Sequence, residues 1–501
     1  MTKRKKRNAI TMVSLLLALV ALIVIYIWYD NRPTKDEVEE IAPTIDLATL
    51  DTEQISSLHY VREDADITLV LQDEVWISKE EPERPINQER ITTILNAIND
   101  IKADRVIMEK PENLADYGLA DPVAYLQAVQ KDGTTVTIRI GNEAGESEGY
   151  YGMVNDDGIV YLLPVKLGTA LQYNNTQMTA VEESPVITAA NIKYIKVEKR
   201  DGEDFELEYR KEDKLDNAGS DLYEWKILKP YGEDFSADNS QVSTLQSNYT
   251  SFNYISCVDY QGDDLTRYGL DEPMASIDIG YTETRTETLE TPEKDPETGE
   301  EITEKTYQED YQYKVYIGNK DDQGNYYIRK EGSDYVYTIS SSSIDTMLEV
   351  DAFSLLNPFV LIPNIASVDE ISFDYKGTST EMRIERKTEK NEEGEDETLS
   401  TYYFNGEVVE ESAFKSLYQT LISLQFDAEA VQVELPEDKA VVTLKYHLFG
   451  EQETTLEAAF LPYDESFYLV KKGDQASFLV DKRKVDDLIK AVSEFTGKEN
   501  E

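Results

Sequence analysis

The sequence predicts an α+β protein: a single N-terminal transmembrane helix, then tandem repeats of mainly antiparallel sheet with one or two helices per repeat. Three observations predict it. Residues 9–29 form an uncharged apolar run, one motif recurs together with its context, and β-like runs and helical periodicity follow in the same order in each copy.

The apolar run reads AITMVSLLLALVALIVIYIWY, 21 positions without a charge. About 20 apolar residues, at about 1.5 Å rise each, cross the hydrocarbon core of a bilayer. Lys3, Arg4, Lys5, Lys6 and Arg7 precede the run, and Tyr26, Trp28 and Tyr29 close it as an interfacial belt. No small-residue cleavage site follows, which favours an anchor over a cleaved signal peptide. The single cysteine is Cys257, so a lipoprotein anchor is set aside. SLLNPFVLI (354–362) is too short for a second span and contains Pro358, so a permease or channel is set aside too. The expected layout is a cytoplasmic basic tail (1–8), a transmembrane helix through the lipid bilayer (9–29), a stalk (30–43), and residues 30–501 outside the cell membrane.

The chain has 501 residues, with 49 Lys plus Arg against 100 Asp plus Glu and a net charge of −51. That balance excludes a broad nucleic-acid footprint, which needs an excess of cations. Hydrophobic residues make up 40%, and there are 33 tyrosines, too much apolar and aromatic content for a wholly disordered chain. One Cys and two His exclude a disulfide framework, a CxxC zinc site and a multi-His metal centre.

The repeat is carried by NLADYGLADP (113–122), which returns as DLTRYGLDEP (264–273) in the pattern L-x-x-Y-G-L-x-x-P. Trp76 precedes Tyr117 by 41 residues and Trp225 precedes Tyr268 by 43. Ile140-Gly141-Asn142 and Ile317-Gly318-Asn319 follow, then Tyr150-Tyr151 and Tyr326-Tyr327, then strands holding Tyr161 and Tyr337. Gly118 and Gly269 are expected to supply a turn with positive φ. Pro122 and Pro273 are expected to start the next strand. Tyr117 and Tyr268 are expected to pack on helix or sheet, and Leu119 and Leu270 complete the motif. The expected units are 44–180, 185–360 and a degenerate third at 361–501. In the third, Tyr402-Tyr403-Phe404 takes the Trp place and LPEDKA (435–440) stands where the YGL element is missing.

Each unit opens with a β-like run: ISSLHYV (55–61), IKYIKVE (192–198) or VDEISFDY (368–375). Hairpin turns are expected at Asp73-Glu74, at Asn217-Ala218-Gly219 and at Asn391 to Glu395. Helical faces follow: Ile91, Ile94, Leu95, Ile98 and Ile101, then Val242, Leu245, Tyr249 and Phe252, then Phe414, Leu417, Leu421 and Leu424. Asn87, Asn239 and Ser412 are the expected caps. Period-two strands come next, with a hairpin turn at Lys131-Asp132-Gly133 in the first unit. The second unit carries a Thr/Glu-rich insertion at 282–306 in that hairpin, read equally as an extended acidic ribbon turning near Pro292–Gly299 or as a disordered loop. A short helix ends each unit, at Val165 to Gln172, Ile344 to Leu348 and Val485 to Phe495.

The L-x-x-Y-G-L-x-x-P element, its upstream Trp and the I-G, Y-Y and V-Y continuation resemble the bacterial domain-of-unknown-function 4340 family. The resemblance covers about 50–350 well and 360–497 weakly. It implies a membrane-anchored accessory component of ABC-2 or gliding-motility-type transport systems, with an ABC permease and ATPase as partners. The family defines no catalytic residues.

The search for chemistry turns up structural readings. His59 and His447 sit in β-like runs, and Cys257 is flanked by apolar and aromatic residues, as a buried thiol is. Ser412-Ala-Phe-Lys415 fits S-x-x-K, but no Lys-Thr-Gly accompanies it, and a helix cap is expected there. Asn155-Asp156-Asp157-Gly158 and Asp321-Asp322-Gln323-Gly324-Asn325 are acidic turns without EF-hand spacing, so hairpin turns are expected. No phosphate-loop, nucleophile-elbow or HExxH motif occurs. No cofactor is expected. The expected function is a non-enzymatic extracytoplasmic accessory subunit of an ABC-type exporter. The alternative is a free-standing envelope module for peptidoglycan or polysaccharide. A carboxylate hydrolase is the remote third.

Overall fold

A computed structural model describes residues 44–145, 148–210, 224–232, 235–294, 301–390, 396–430, 439–449, 454–473 and 475–498. The chain divides into two compact units, Met1–Ala180 and Val181–Glu501. The basic tail, the 9–29 run and the 30–43 stalk lie outside the described residues, as do the turns expected at 217–219 and 391–395. Among the described residues, no helix is long and apolar enough to cross a membrane.

The first unit runs β1 (Ile45–Thr49), β2 (Ile55–Arg62), β3 (Ala65–Gln72), β4 (Val75–Ser78), α1 (Gln88–Ile98), β5 (Asp100–Ala103) and β6 (Arg105–Met108). It continues with β7 (Ala124–Gln130), β8 (Thr135–Glu143), β9 (Tyr150–Val154), β10 (Val160–Leu163), α2 (Val165–Ala170) and α3 (Asn175–Met178). Its main sheet is antiparallel in the order β4-β3-β2-β7-β8-β9-β10-β6. Two meanders meet along β2 and β7, and α1 carries the chain from one edge to the other. Alternation explains the strands: Ile55, Leu58 and Tyr60 of β2 face the core with Leu126 and Ala128 of β7. Ile91, Ile94 and Ile98 of α1 complete that core. Each such side chain contributes about 1.5–3 kcal/mol by leaving water.

The second unit holds two further sheets. The first of them uses β11 (Ile192–Lys199), β12 (Phe205–Tyr209), β13 (Trp225–Lys229), β14 (Ser236–Ala237), α4 (Asn239–Gln246), β15 (Tyr254–Asp259) and α5 (Leu265–Tyr268). It continues with β16 (Ala275–Lys294), β17 (Glu301–Lys320), β18 (Tyr326–Lys330), β19 (Val336–Ile339), α6 (Ser341–Leu348) and α7 (Ala352–Leu355). The other uses β20 (Val368–Tyr375), β21 (Thr378–Lys390), β22 (Asp396–Phe404), β23 (Glu407–Val409), α8 (Glu411–Ile422) and β24 (Ala428–Glu429). It ends with β25 (Val442–Leu448), β26 (Thr454–Pro462), β27 (Phe467–Lys472), β28 (Gln475–Asp481) and α9 (Lys482–Ser493). Their orders, β14-β13-β12-β11-β16-β17-β18-β19-β15 and β23-β22-β21-β20-β25-β26-β27-β28-β24, repeat the first sheet with one short strand added at an edge. The 361–501 region therefore has the repeat topology without the YGL element. LPEDKA falls mostly outside the described residues.

Two backbone contacts recur in all three sheets. A lead-in segment bonds to the residues after the first helix: Leu50 N to Asn99 O at 3.0 Å, Ile187 N to Thr250 O at 2.8 Å, and Val360 N to Leu424 O at 2.9 Å. A closing segment then bonds back to the start of that helix: Asn87 N to Met178 O at 2.9 Å, Asp238 N to Leu355 O at 2.8 Å, and Glu410 N to Gly497 O at 3.1 Å. Both satisfy main-chain groups at helix ends that would otherwise need water.

Several local expectations change. α1 stops at Ile98, so Ile101 belongs to β5. Phe252 and Leu424 lie past their helices but stay buried. Asn87 caps α1 by accepting from Arg90 N. The second cap is Asp238, not Asn239, because its carboxylate accepts from both Ser240 N and Gln241 N. Ser412 lies inside α8, whose cap position is Glu410, where the side chain makes no capping bond.

The insertion forms an extended ribbon. β16 and β17 pair from Ala275↔Ile317 to Lys294↔Glu301 with an irregularity between Thr288 and Glu293, and the turn at 295–300 is outside the described residues. Beyond Tyr281 it projects about 40 Å, at about 3.3 Å per residue. Its base is braced by the stacked Tyr281 and Tyr311 rings, 5.6 Å apart, and by Arg285, which pairs with Glu309 and Glu283, each at 3.2 Å. Its outer residues add nothing to the core. Replacing 287–305 with Asn-Gly, which keeps the braced base through Thr286↔Thr306, should change unfolding free energy by less than about 0.5 kcal/mol in urea melts.

Candidate functional site

The recurring motif is built from a one-turn helix and a bulge that interlock. Asn113 caps Leu114–Tyr117, and Asp264 caps Leu265–Tyr268. Each turn ends on a left-handed glycine, Gly118 at φ +70° and Gly269 at φ +66°. The chain then doubles back, with Leu119 N bonded to Leu114 O at 3.0 Å and Leu270 N to Leu265 O at 2.9 Å. The Ile-Gly-Asn element sits on the facing strand, where the β8/β9 and β17/β18 registers both shift. A Cβ on Gly141 would lie 2.1 Å from the Tyr117 carbonyl oxygen, and one on Gly318 would lie 2.1 Å from that of Tyr268. Asn142 covers Gly118 and Asn319 covers Gly269, at 2.4 and 2.6 Å from where a Cβ would stand. The two sequence elements recur together because neither fits without the other.

The side chains seal this lock. Leu119 is fully buried beside Met153 and Val160, and Leu270 is buried beside Val336. Tyr117 meets Tyr151 edge-on at 5.3 Å, and Tyr268 meets Tyr327 at 4.9 Å. The first tyrosine of each pair faces the helices instead: Tyr150 presses on Gly168 of α2, and Tyr326 donates to Asp345 of α6 at 2.8 Å. Pro122 and Pro273 stand two positions ahead of β7 and β16. Trp76 and Trp225 are buried on β4 and β13. The Trp76 backbone is held by Gln88, which accepts from its N–H at 3.0 Å and donates to its carbonyl at 2.8 Å. The tyrosine, glycine and leucine of each motif are brought together with the Ile-Gly-Asn bulge, whereas Trp76 and Trp225 pack in the main cores on the other half of each sheet and are not brought to the motif. The third sheet fills the corresponding place with Leu461, Leu469 and Leu479.

Chemistry-bearing residues are held in structural pairings. Lys415 pairs with Glu411 at 2.6 Å, and that hydrogen bond raises the lysine above its ordinary range. A base that must take a serine proton needs the opposite shift. His59 pairs with Asp66 at 2.8 Å and His447 with Asp369 at 2.7 Å, both across neighbouring strands. Cys257 is buried and donates to Asp259 O at 3.4 Å. In the first acidic turn, Asn155 accepts from Thr137 N, Asp156 pairs with Arg139, and Asp157 accepts from Ile159 N and Tyr161 OH. In the second, Asp321 accepts from Gln323 N and Asn325 N. Among the described residues, no three His, Cys, Asp or Glu side chains gather as a metal site.

The family comparison bears on the same motif. A family model described as Domain of unknown function (DUF4340) matches residues 76–230 and again 225–445. The chain belongs to the DUF4340 family. Both matches open on a tryptophan, Trp76 or Trp225, and the first ends just past the next sheet's tryptophan strand. The DUF4340 period is thus cut inside the sheets, and each match spans parts of two consecutive ones. Comparison with curated proteins and with solved structures finds no match.

One feature of the second unit escaped the sequence reading. Tyr231 and Phe235 of the β13–β14 loop pack on Phe478 of β28 at 4.7 and 4.9 Å, and Phe426 completes the cluster at 4.8 Å from Phe478. The Tyr231 hydroxyl donates to Glu429, and burial pushes its pKa up. The signal was the aromatic content of the 230–235 loop, which the first unit's counterpart lacks. Phe478→Ala should cost about 3–5 kcal/mol and split the second unit's calorimetric transition in two. Gly141→Ala and Gly318→Ala should each cost about 2–3 kcal/mol in urea melts. Gly133→Ala, where a Cβ meets nothing, should cost about 1 kcal/mol from its φ alone.

Proposed function

We propose that this DUF4340 chain is a non-enzymatic, membrane-anchored extracytoplasmic protein that acts as an accessory subunit of an ABC-type exporter. The observation that carries the binding role is the tandem of three sheets with one strand order. His59, His447, Lys415 and Cys257 stand in structural pairings, which supports surfaces rather than a reaction centre as what meets other molecules. The anchor rests on the uncharged 9–29 run with five cations before it. The exporter rests on the family resemblance.

In this reading the span contacts the permease within the bilayer, and the sheets contact substrate or envelope outside. The net charge of −51 keeps the outer part off anionic lipid. Mild-detergent affinity purification of the full chain should bring down a permease and an ATPase in fixed ratio. Recovery of the chain alone, or with wall fragments, would overturn the exporter reading in favour of envelope binding. Deleting residues 2–29 should move the protein from the membrane fraction to the soluble one and abolish that co-purification.

A further inference from the structure

The junction inside the second unit shows how its two sheets meet. The donor side is the β13–β14 edge with its neighbouring helix, and the acceptor side is the β28–β24 edge. Ser236 is buried there, and the space beside Gln241 of α4 is about 230 Å³, lined by Phe353, Pro358 and Phe426. The repeat topology locates the same two sides at the ends of the chain.

At the last sheet, Tyr402 pairs with Val409 as Trp225 pairs with Ala237, so Val408 stands where Ser236 does. Val408 is 68% exposed. Ala413 follows the Glu410 cap position as Gln241 follows Asp238. The space beside Ala413 is a groove of about 480 Å³, lined by Leu417, Ala491 and Phe495 together with Ser416, Thr420 and Glu494. At the first sheet, Asp104 N bonds to Leu162 O as Asp427 N bonds to Leu479 O. Tyr161↔Val106 is then the counterpart of Phe478↔Glu429. Val106 and Met108 of the β6 edge are 40% and 42% exposed.

We propose that these two ends dock on each other between copies, so that the chain associates head to tail through a repeat of its internal junction. The donor side of one copy covers the β6 edge of the next. Such a contact is heterologous, so it grows beyond a dimer, into a ring or an open chain. The β22–β23 turn is only Asn405-Gly406, without counterparts of Tyr231 and Phe235, so the contact is weaker than the internal one. Copies at −51 repel one another, and salt shortens the reach of that repulsion from about 10 Å at 0.1 M to about 3 Å at 1 M. Association should therefore strengthen with salt.

Sedimentation velocity on the full chain in detergent, from low to high micromolar and at 0.1 and 1 M salt, tests this. The expected result is species that grow past dimer with concentration and salt. Met108→Glu and Val408→Glu, each at an exposed position, should each shift the chain to monomer at least tenfold in concentration while leaving its thermal melt in place. A monomer under every condition overturns the proposal. So does a closed dimer, or growth that both variants leave unchanged.

Discussion

The approach of the Tyr117 carbonyl to Gly141, and of Tyr268 to Gly318, is the constraint on which the first two sheets depend. After its first helix the chain has reached the far edge of the sheet and must return to the middle to start β7 or β16. The glycine-ended turn makes that return, and the bulge on β8 or β17 receives it. The turn needs a left-handed residue, and the bulge needs one without a side chain. Leu119 and Leu270 then bury the outside of the turn, and the paired tyrosines cap it.

Much of this was legible because it is local. Alternation and 3.6-residue periodicity mark β2, α1 and their counterparts, and the Asn87 cap is a one-residue signal. The YGL and Ile-Gly-Asn elements were visible as recurring text, but nothing in their spacing said that they touch. The helix ends were misplaced where an apolar residue such as Ile101 continues the helical face from within a strand. Asp238 displaced Asn239 as cap because a carboxylate there reaches two amides. The insertion at 282–306 was open between strand and disorder, since Thr and Glu satisfy either. Its Tyr281, Tyr311 and Arg285 base decides for strands.

The third sheet shows what the motif does not dictate. It keeps the strand order with leucines in place of the tyrosine lock, so topology follows from the meanders, the lead-in bond and the closing bond, which all three sheets share. The first two sheets differ from the third in how the return is secured, not in where the strands go. The same conservation of edges makes the Tyr231 and Phe478 junction a pattern that the free ends can copy. Function on this reading lies in surfaces and in the N-terminal run, where a motif search for catalysis does not look.

The central claim is that the recurring motif is one interlocked structural element. Amide hydrogen exchange on the full chain, with Gly141→Ala beside the unaltered protein, tests it most directly. Protection should fall together at Gly118–Leu119 and along Tyr150–Val154, while β2 and β3 keep theirs. Loss confined to the neighbours of Gly141, with the YGL turn as protected as before, would contradict it.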